Sequence, residues 1–253
     1  LTLDEKPIPD QNQGMFKLKC ILLGFFVISN AQAADSGKVL WDYWYTVSVK
    51  KIPYEYYNEK VIFRDGKIQF FNNVWKKEEG FINEEQLGSF SNADIDLTPL
   101  FYNYRSTYRS TEVKIDGNVH DGNSLVVKAK KGDQALPTIT KSIRPKTFLS
   151  LFFPLWLGKK LETMKENVTV SFSTLQEDNI DDGFDSVSGH VRLEKADDFS
   201  KKTGTKKIAV DYRDDARSYW WVDKQGAALQ IEMPDKGTLV ERSTKEKAEA
   251  FLK

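Results

Sequence analysis

Apolar and polar residues alternate along most of the chain. From Val39 to Lys50, the residues Val39, Trp41, Tyr43, Tyr45, Val47 and Val49 share one face. Asp42, Thr46, Ser48 and Lys50 share the other with Leu40 and Trp44. A period of two in β-branched and aromatic residues predicts a strand. Tyr54–Phe63 and Lys67–Trp75 repeat the pattern on either side of Arg64-Asp65-Gly66, and an Asp-Gly between two such runs predicts a tight hairpin. Phe81–Phe90 reads as a further strand ending near Gly88. Thr111–Ile115 and Ser124–Lys130 flank Asp116-Gly117 and Asp121-Gly122, and Thr138–Ile143 follows a Lys-Gly-Asp turn. Val168–Leu175, Ser188–Glu194, Lys206–Asp211, Ser218–Val222 and Ala227–Met233 come next, with Lys224-Gln225-Gly226 between the last two. Leu239–Arg242 reads as a final short strand. Short strands at regular intervals, joined by Gly and Asp turns, predict a mainly-β fold: a curved antiparallel sheet or half-open barrel with two or three short helices.

Three segments break the alternation. Thr98-Pro99 has the form of an N-cap followed by proline at the first helical position, which predicts a helix over Leu100–Arg105. Phe148–Leu157 is the most apolar run after residue 33 and contains Pro154; it predicts a short helix plugging the open side of the sheet. Ser243-Thr244-Lys245-Glu246 is a capping-box pattern opening a short helix with Ala248, Phe251 and Leu252 as its apolar side.

The amino-terminal region is of another kind. Met15-Phe16-Lys17-Leu18-Lys19 precedes the apolar run Cys20–Ile28 and then Ala31-Gln32-Ala33, the order of a cleavable signal peptide. The apolar run is too short to span a bilayer, which takes about 20 residues. The pattern divides the chain into an upstream, non-native extension (1–14), a signal peptide (15–33) cleaved near Ala33, and a single β-rich domain with a short C-terminal helix (34–253). It predicts a periplasmic or secreted protein without a transmembrane anchor.

Composition narrows the functions. The chain carries 37 Lys+Arg and 37 Asp+Glu. Removing residues 1–33 takes away three of each sign, so the balance stays neutral and argues against a nucleic-acid partner. Cys20 is the one cysteine and leaves with the leader; it opens the apolar run instead of following it, which speaks against lipidation. His120 and His190 cannot assemble a structural zinc site without thiolates. There is no nucleophile elbow, Walker loop or dinucleotide fingerprint, and no cofactor is expected. Aligned as a calcium loop from Asp178, the run Glu177–Asp185 has Ile180 at position three and Gly189 at position twelve, so a solvated acidic turn is expected there. Asp94 with Asp96, and Asp214 with Asp215, read as loop acids facing water.

Aromatic residues carry the remaining signal. They cluster at 41–45, 54–57, 101–104, 152–156 and 219–221, and the neighbours Trp220 and Trp221 must point to opposite faces of a strand. A sheet packed on both sides explains them, and so does a concave face lining an apolar cavity. In the second case the expected ligand-binding residues are Trp44, Phe101, Tyr104, Phe152, Phe153, Trp156 and Trp220.

The Trp-Asp-Tyr-Trp-Tyr-Thr-Val strand at 41–47 and the Phe-Leu-Ser-Leu-Phe-Phe segment at 148–153 resemble those of bacterial periplasmic domains related to the lipoprotein-localisation factors LolA and LolB. So do the Tyr219–Ala227 hairpin and the Glu-Met-Pro-Asp-Lys-Gly turn at 232–237. The resemblance spans most of 34–242. It implies a half-open antiparallel barrel with short helices on its concave side. The lipid-anchored cysteine of LolB is missing, and 95–109 and 178–185 have no counterpart. The expectation is a non-enzymatic binding protein for a lipid or other apolar small molecule, or a cell-envelope accessory. A structural protein docking an envelope partner through its sheet edge is the competing class.

Overall fold

The computed structural model describes residues 37–108, 111–178, 183–212 and 217–253. The signal-peptide pattern, the upstream extension and Asp214-Asp215 lie outside them. Sixteen strands form one open sheet in the order β10-β11-β12-β13-β14-β15-β16-β1-β2-β3-β4-β5-β6-β7-β8, with β9 also on β7. The first wing comprises β1 (Lys38–Val49), β2 (Ile52–Arg64), β3 (Lys67–Glu78), β4 (Phe81–Asn92), β5 (Pro99–Tyr108), β6 (Thr111–His120), β7 (Ser124–Lys131), β8 (Gln134–Ala135) and β9 (Ile139–Ser142). The second comprises β10 (Thr147–Leu149), β11 (Thr169–Leu175), β12 (Ser186–Leu193), β13 (Lys206–Tyr212), β14 (Ser218–Val222), β15 (Ala228–Met233) and β16 (Thr238–Ser243). All pairings within this path are antiparallel except β10 with β11. Helices α1 (Phe153–Leu161), α2 (Asp198–Thr203) and α3 (Lys245–Ala250) complete the fold. Among the described residues, no helix is long and apolar enough to cross a membrane.

The predicted strands are present, and the differences have local causes. The Asp65-Gly66 hairpin forms with both residues at positive φ (50° and 71°), the conformation a two-residue turn needs to match strand twist. Leu100–Arg105 is not helical: it belongs to strand β5, where Tyr102 and Tyr104 point to one face and Phe101, Asn103 and Arg105 to the other. Pairing with β4 and β6 on both sides overrides the cap-like Thr98-Pro99. Strand β4 runs on through Gly88 to Asn92, and β6 runs through Asp116-Gly117 to His120, so only Asp121-Gly122 makes the turn. Val39 leaves the inner face because the β1–β2 register shifts between Val39 and Trp41.

The register defines one continuous inner face. Reading across the β1–β16 seam, Tyr45 is opposite Tyr57 and Arg242, and Val47 is opposite Val240, which in turn is opposite Ile231. The two wings fold toward each other over this face. Phe70 of β3 meets Phe152 edge-on at 5.9 Å, and Ser89 of β4 reaches Glu177, just past β11, at 2.9 Å. The interior between them is filled by the 3-10 turn Ser150–Phe152 and helix α1, with Phe148, Phe152, Leu157 and Leu161 buried. Helix α1 sits close to the β14–β15 turn because both surfaces are glycine: a Cβ on Gly158 would fall 2.1 Å from the Gln225 carbonyl oxygen. The remaining helices pack on the outer face, unlike the concave placement the family resemblance implies. Asp197 caps α2 through the Ser200 N–H, and Phe199 packs on outward-facing Trp221. The predicted capping pattern opens α3, with Thr244 accepting from the Lys247 N–H, and this helix lies on β1 and β2.

Candidate functional site

Burial changes along the inner face. Toward one end of the first wing Trp41, Val61, Ile68, Phe70, Ser89 and Tyr102 are buried. Two to six residues farther along the same strands, Tyr57, Glu55, Val74, Glu85, Leu87 and Tyr104 regain partial exposure. Across β2 to β5 the concave face is therefore sealed at one end and more open at the other, while Tyr45 and Val47 of β1 stay buried throughout. At the open end of the second wing lies a cavity of about 300 Å³. Phe153, at the start of α1, forms its apolar wall with Val210, Trp220 and Met233, inner-face residues of β13, β14 and β15. Trp220 meets Phe153 edge-on at 5.1 Å. Ser150, Gln176, Tyr212 and Ser218 add hydrogen-bonding groups, and Lys236 stands at the rim on the β15–β16 turn. A small apolar recess with a few convergent polar groups is the usual form of a small-molecule site.

Beneath this cavity is a buried carboxylate. Glu177 has no exposed surface. Its Oε1 accepts from Ser89 Oγ at 2.9 Å, and its Oε2 accepts from the Ser150 N–H at 3.1 Å and Ser150 Oγ at 2.6 Å. It thus anchors the start of the helical plug to the opposite wing. Burial pushes its pKa up to about 7, with the Ser150 and Ser89 hydroxyls opposing. The expected solvated acidic turn is corrected here: Asp178 and Asp185 face solvent, Glu177 does not, and 179–182 lie outside the described residues. Two further glutamates on the inner face of β2 behave alike. Glu55 and Glu59 are pushed up to about 7, chiefly by burial, Glu55 also by Glu85 and Glu59 despite the opposing Arg242. Arg242 lies over the Tyr43 ring at 3.9 Å and donates to Asp223 at 3.0 Å.

The residues expected to bind a ligand are dispersed. Phe153 and Trp220 line the cavity together. Phe152 and Trp156 are core residues, Trp156 stacking on Phe148 at 5.5 Å. Tyr104 lies on the inner face of β5, half-buried, its hydroxyl pKa raised by burial. Trp44 is on the outer face, stacked on Trp75 at 5.8 Å and covered by Lys245 of α3. Phe101 is also outside, stacked on Phe90 at 4.0 Å. The sequence reading missed Val210 and Met233, which look like ordinary strand residues until the register turns them inward.

The second histidine raises one further chemistry. Ser171, His190 and Asp211 stand opposite one another on the outer faces of β11, β12 and β13, and Ser171 Oγ lies 3.1 Å from His190 Nδ1. All the same, the Asp211 carboxylate is engaged by Arg217 through two bonds, of 2.7 and 3.0 Å. Ser171 and His190 are exposed on a sheet face.

No family profile matches the chain, and no curated protein matches it. Among solved structures, the chain is similar to a DUF1089 family protein from Pseudomonas aeruginosa, at 15% identity and a TM-score of 0.39. That likeness covers 71% of this chain and 90% of the other.

Proposed function

We propose that this chain is a non-catalytic binding protein of the cell envelope that holds an apolar or amphipathic small molecule at the open end of its concave sheet. The observation that carries the reading is the 300 Å³ cavity walled by Phe153, Val210, Trp220 and Met233. Its lining joins that apolar wall to the polar side chains of Ser150, Gln176, Tyr212, Ser218 and Lys236, which suits a ligand with an apolar body and a polar end. The signal-peptide pattern supplies the compartment, and the resemblance to lipoprotein-localisation factors points to lipid.

The test is organic extraction of the purified protein with mass spectrometry of the extract, together with titration by a bromine-labelled fatty acid while tryptophan emission is followed. Bromine quenches a tryptophan only at close range, so the Trp220 contribution should fall on binding. Trp220→Phe should remove that component while binding, followed by competition, persists. Met233→Lys, which places a charge in the wall, should weaken binding at least tenfold, about 1.4 kcal/mol. Quenching that is equal with and without Trp220 would refute the reading.

A further inference from the structure

Three glycines occupy regular mid-strand positions, and two of them have an evident partner. A Cβ on Gly117 would fall 2.1 Å from the Tyr102 ring, and one on Gly189 would fall 2.3 Å from the Phe172 ring. In each case an aromatic ring on the inner face fills the space. Gly88 differs. It lies on the outer face of β4, its φ is not positive, and the pairing with β3 and β5 is unbroken around it. A Cβ there would meet Asn103 Oδ1 at 3.0 Å and the Phe71 ring at 3.5 Å, with no backbone in the way. No turn requires glycine here, and a Cβ would press on the Asn103 side chain and touch the Phe71 ring but meet no backbone among its nearest neighbours; glycine weakens a strand interior and often marks close approach of another group.

Beside Gly88 lies a hollow of about 240 Å³. Cross-strand register builds its walls: Phe71, Gly88 and Asn103 form one row, and Asn73, Gln86 and Arg105 the next. These rows are spaced roughly 5 Å across strands and 7 Å along them. Among the described residues, none of Asn73, Gln86, Asn103 and Arg105 hydrogen-bonds to another side chain or pairs with a charge. Three carboxamides and a guanidinium thus converge on one depression with their bonding capacity unspent, beside an aromatic face.

We propose that this hollow is a saccharide site that takes one pyranose unit bearing a carboxylate, a uronic-acid residue. Each carboxamide offers a donor and an acceptor, as each sugar hydroxyl does. The phenyl ring of Phe71 supplies an apolar flank for the C–H face of the sugar, and the planar fork of Arg105 matches a carboxylate. This site is separate from the concave cavity and independent of what that cavity holds.

The experiment is a nitrogen-15 NMR titration of the protein with glucuronate and with glucose, reading the side-chain amides of Asn73, Gln86 and Asn103. Glucuronate should shift these amides at millimolar concentration, and glucose should bind several-fold more weakly. Gly88→Ala adds a methyl group, for which the Asn103 side chain must shift by a few tenths of an ångström. It should keep the fold and melting temperature and lose at least tenfold in affinity. Gln86→Ala, at an exposed position, should lose several-fold and guards against a folding defect in the glycine variant. Absence of shifts at tens of millimolar glucuronate would overturn the proposal. So would unchanged affinity in Gly88→Ala, or an equal response to glucose.

Discussion

Glu177 shows how much one side chain couples here. Its ordinary carboxyl pKa of 4.5 is pushed up to about 7 by burial. A raised carboxyl pKa means that the folded state holds its proton at a pH where the unfolded state has lost it. The stabilisation is therefore full below about pH 4.5, falls as pH rises toward 7, and is gone above that. The shift corresponds to roughly 3 kcal/mol from this group, and Glu55 and Glu59 act in the same direction. Urea unfolding should show the protein less stable near pH 8 than near pH 5, and Glu177→Gln should flatten that slope. Glutamine can still accept from the Ser150 N–H and donate to Ser89 Oγ. Glu177→Ala leaves these groups without partners and should cost about 2–4 kcal/mol at either pH. The acidic run around Glu177 was legible in the sequence, but its burial was not. The alternation of β11 stops at Leu175, and only the opposite wing brings Ser89 to the carboxylate. Phe153 and Trp220 announced themselves as aromatics; Val210 and Met233 carry no local signal that separates a cavity wall from a core.

At the scale of elements, local chemistry predicted strands and caps well and failed where two readings shared the same residues. Thr98-Pro99 satisfies a helix start, yet Phe101 through Arg105 alternate, and the ladder bonds to β4 and β6 decide the outcome. Contact between elements was not legible at all. The plug helix α1 meets the β14–β15 turn through glycine on both sides. Gly226 has φ 91°, and a Cβ on it would fall 1.9 Å from the Pro154 carbonyl oxygen. Gly66 has a comparable φ of 71° but nothing within 4 Å. Substituting each with alanine separates backbone strain from crowding. Gly66→Ala should cost about 1 kcal/mol in chemical denaturation, from the left-handed backbone alone. Gly226→Ala should cost a further 1–3 kcal/mol, because a helix must shift against the sheet. Equal losses at the two positions would mean that helix and turn are not in register.

At the scale of the molecule, the sheet is two meanders joined where the first and last strands of the described residues meet. Most strand neighbours are sequence neighbours, which explains why a meander was readable. The β1–β16 pairing joins residues nearly 200 positions apart, and no turn signal encodes it. This seam holds the second wing, and the cavity it carries, against the first, together with the contacts of the plug segment and β10 with β3, β4 and β5, the Ser89–Glu177 hydrogen bond, the Lys141–Asp185 ion pair and the Tyr102–Phe184 ring contact. The register places Thr46 opposite Glu241 on the outer face, and Val240, one residue away, on the inner face. A protein lacking Cys20 and carrying Thr46→Cys with Glu241→Cys should therefore crosslink on oxidation, whereas Thr46→Cys with Val240→Cys should not. Closing so long a loop removes disorder from the unfolded chain, and the crosslink should stabilise by about 3–5 kcal/mol. If the seam is the hinge on which the wings depend, the oxidised protein should also bind the proposed small molecule as tightly as the reduced one, and do so at urea concentrations where the reduced protein has already unfolded. Crosslinking of the Val240 pair in place of the Glu241 pair would mean that the seam is shifted by one residue, which would turn the inner face of one wing outward.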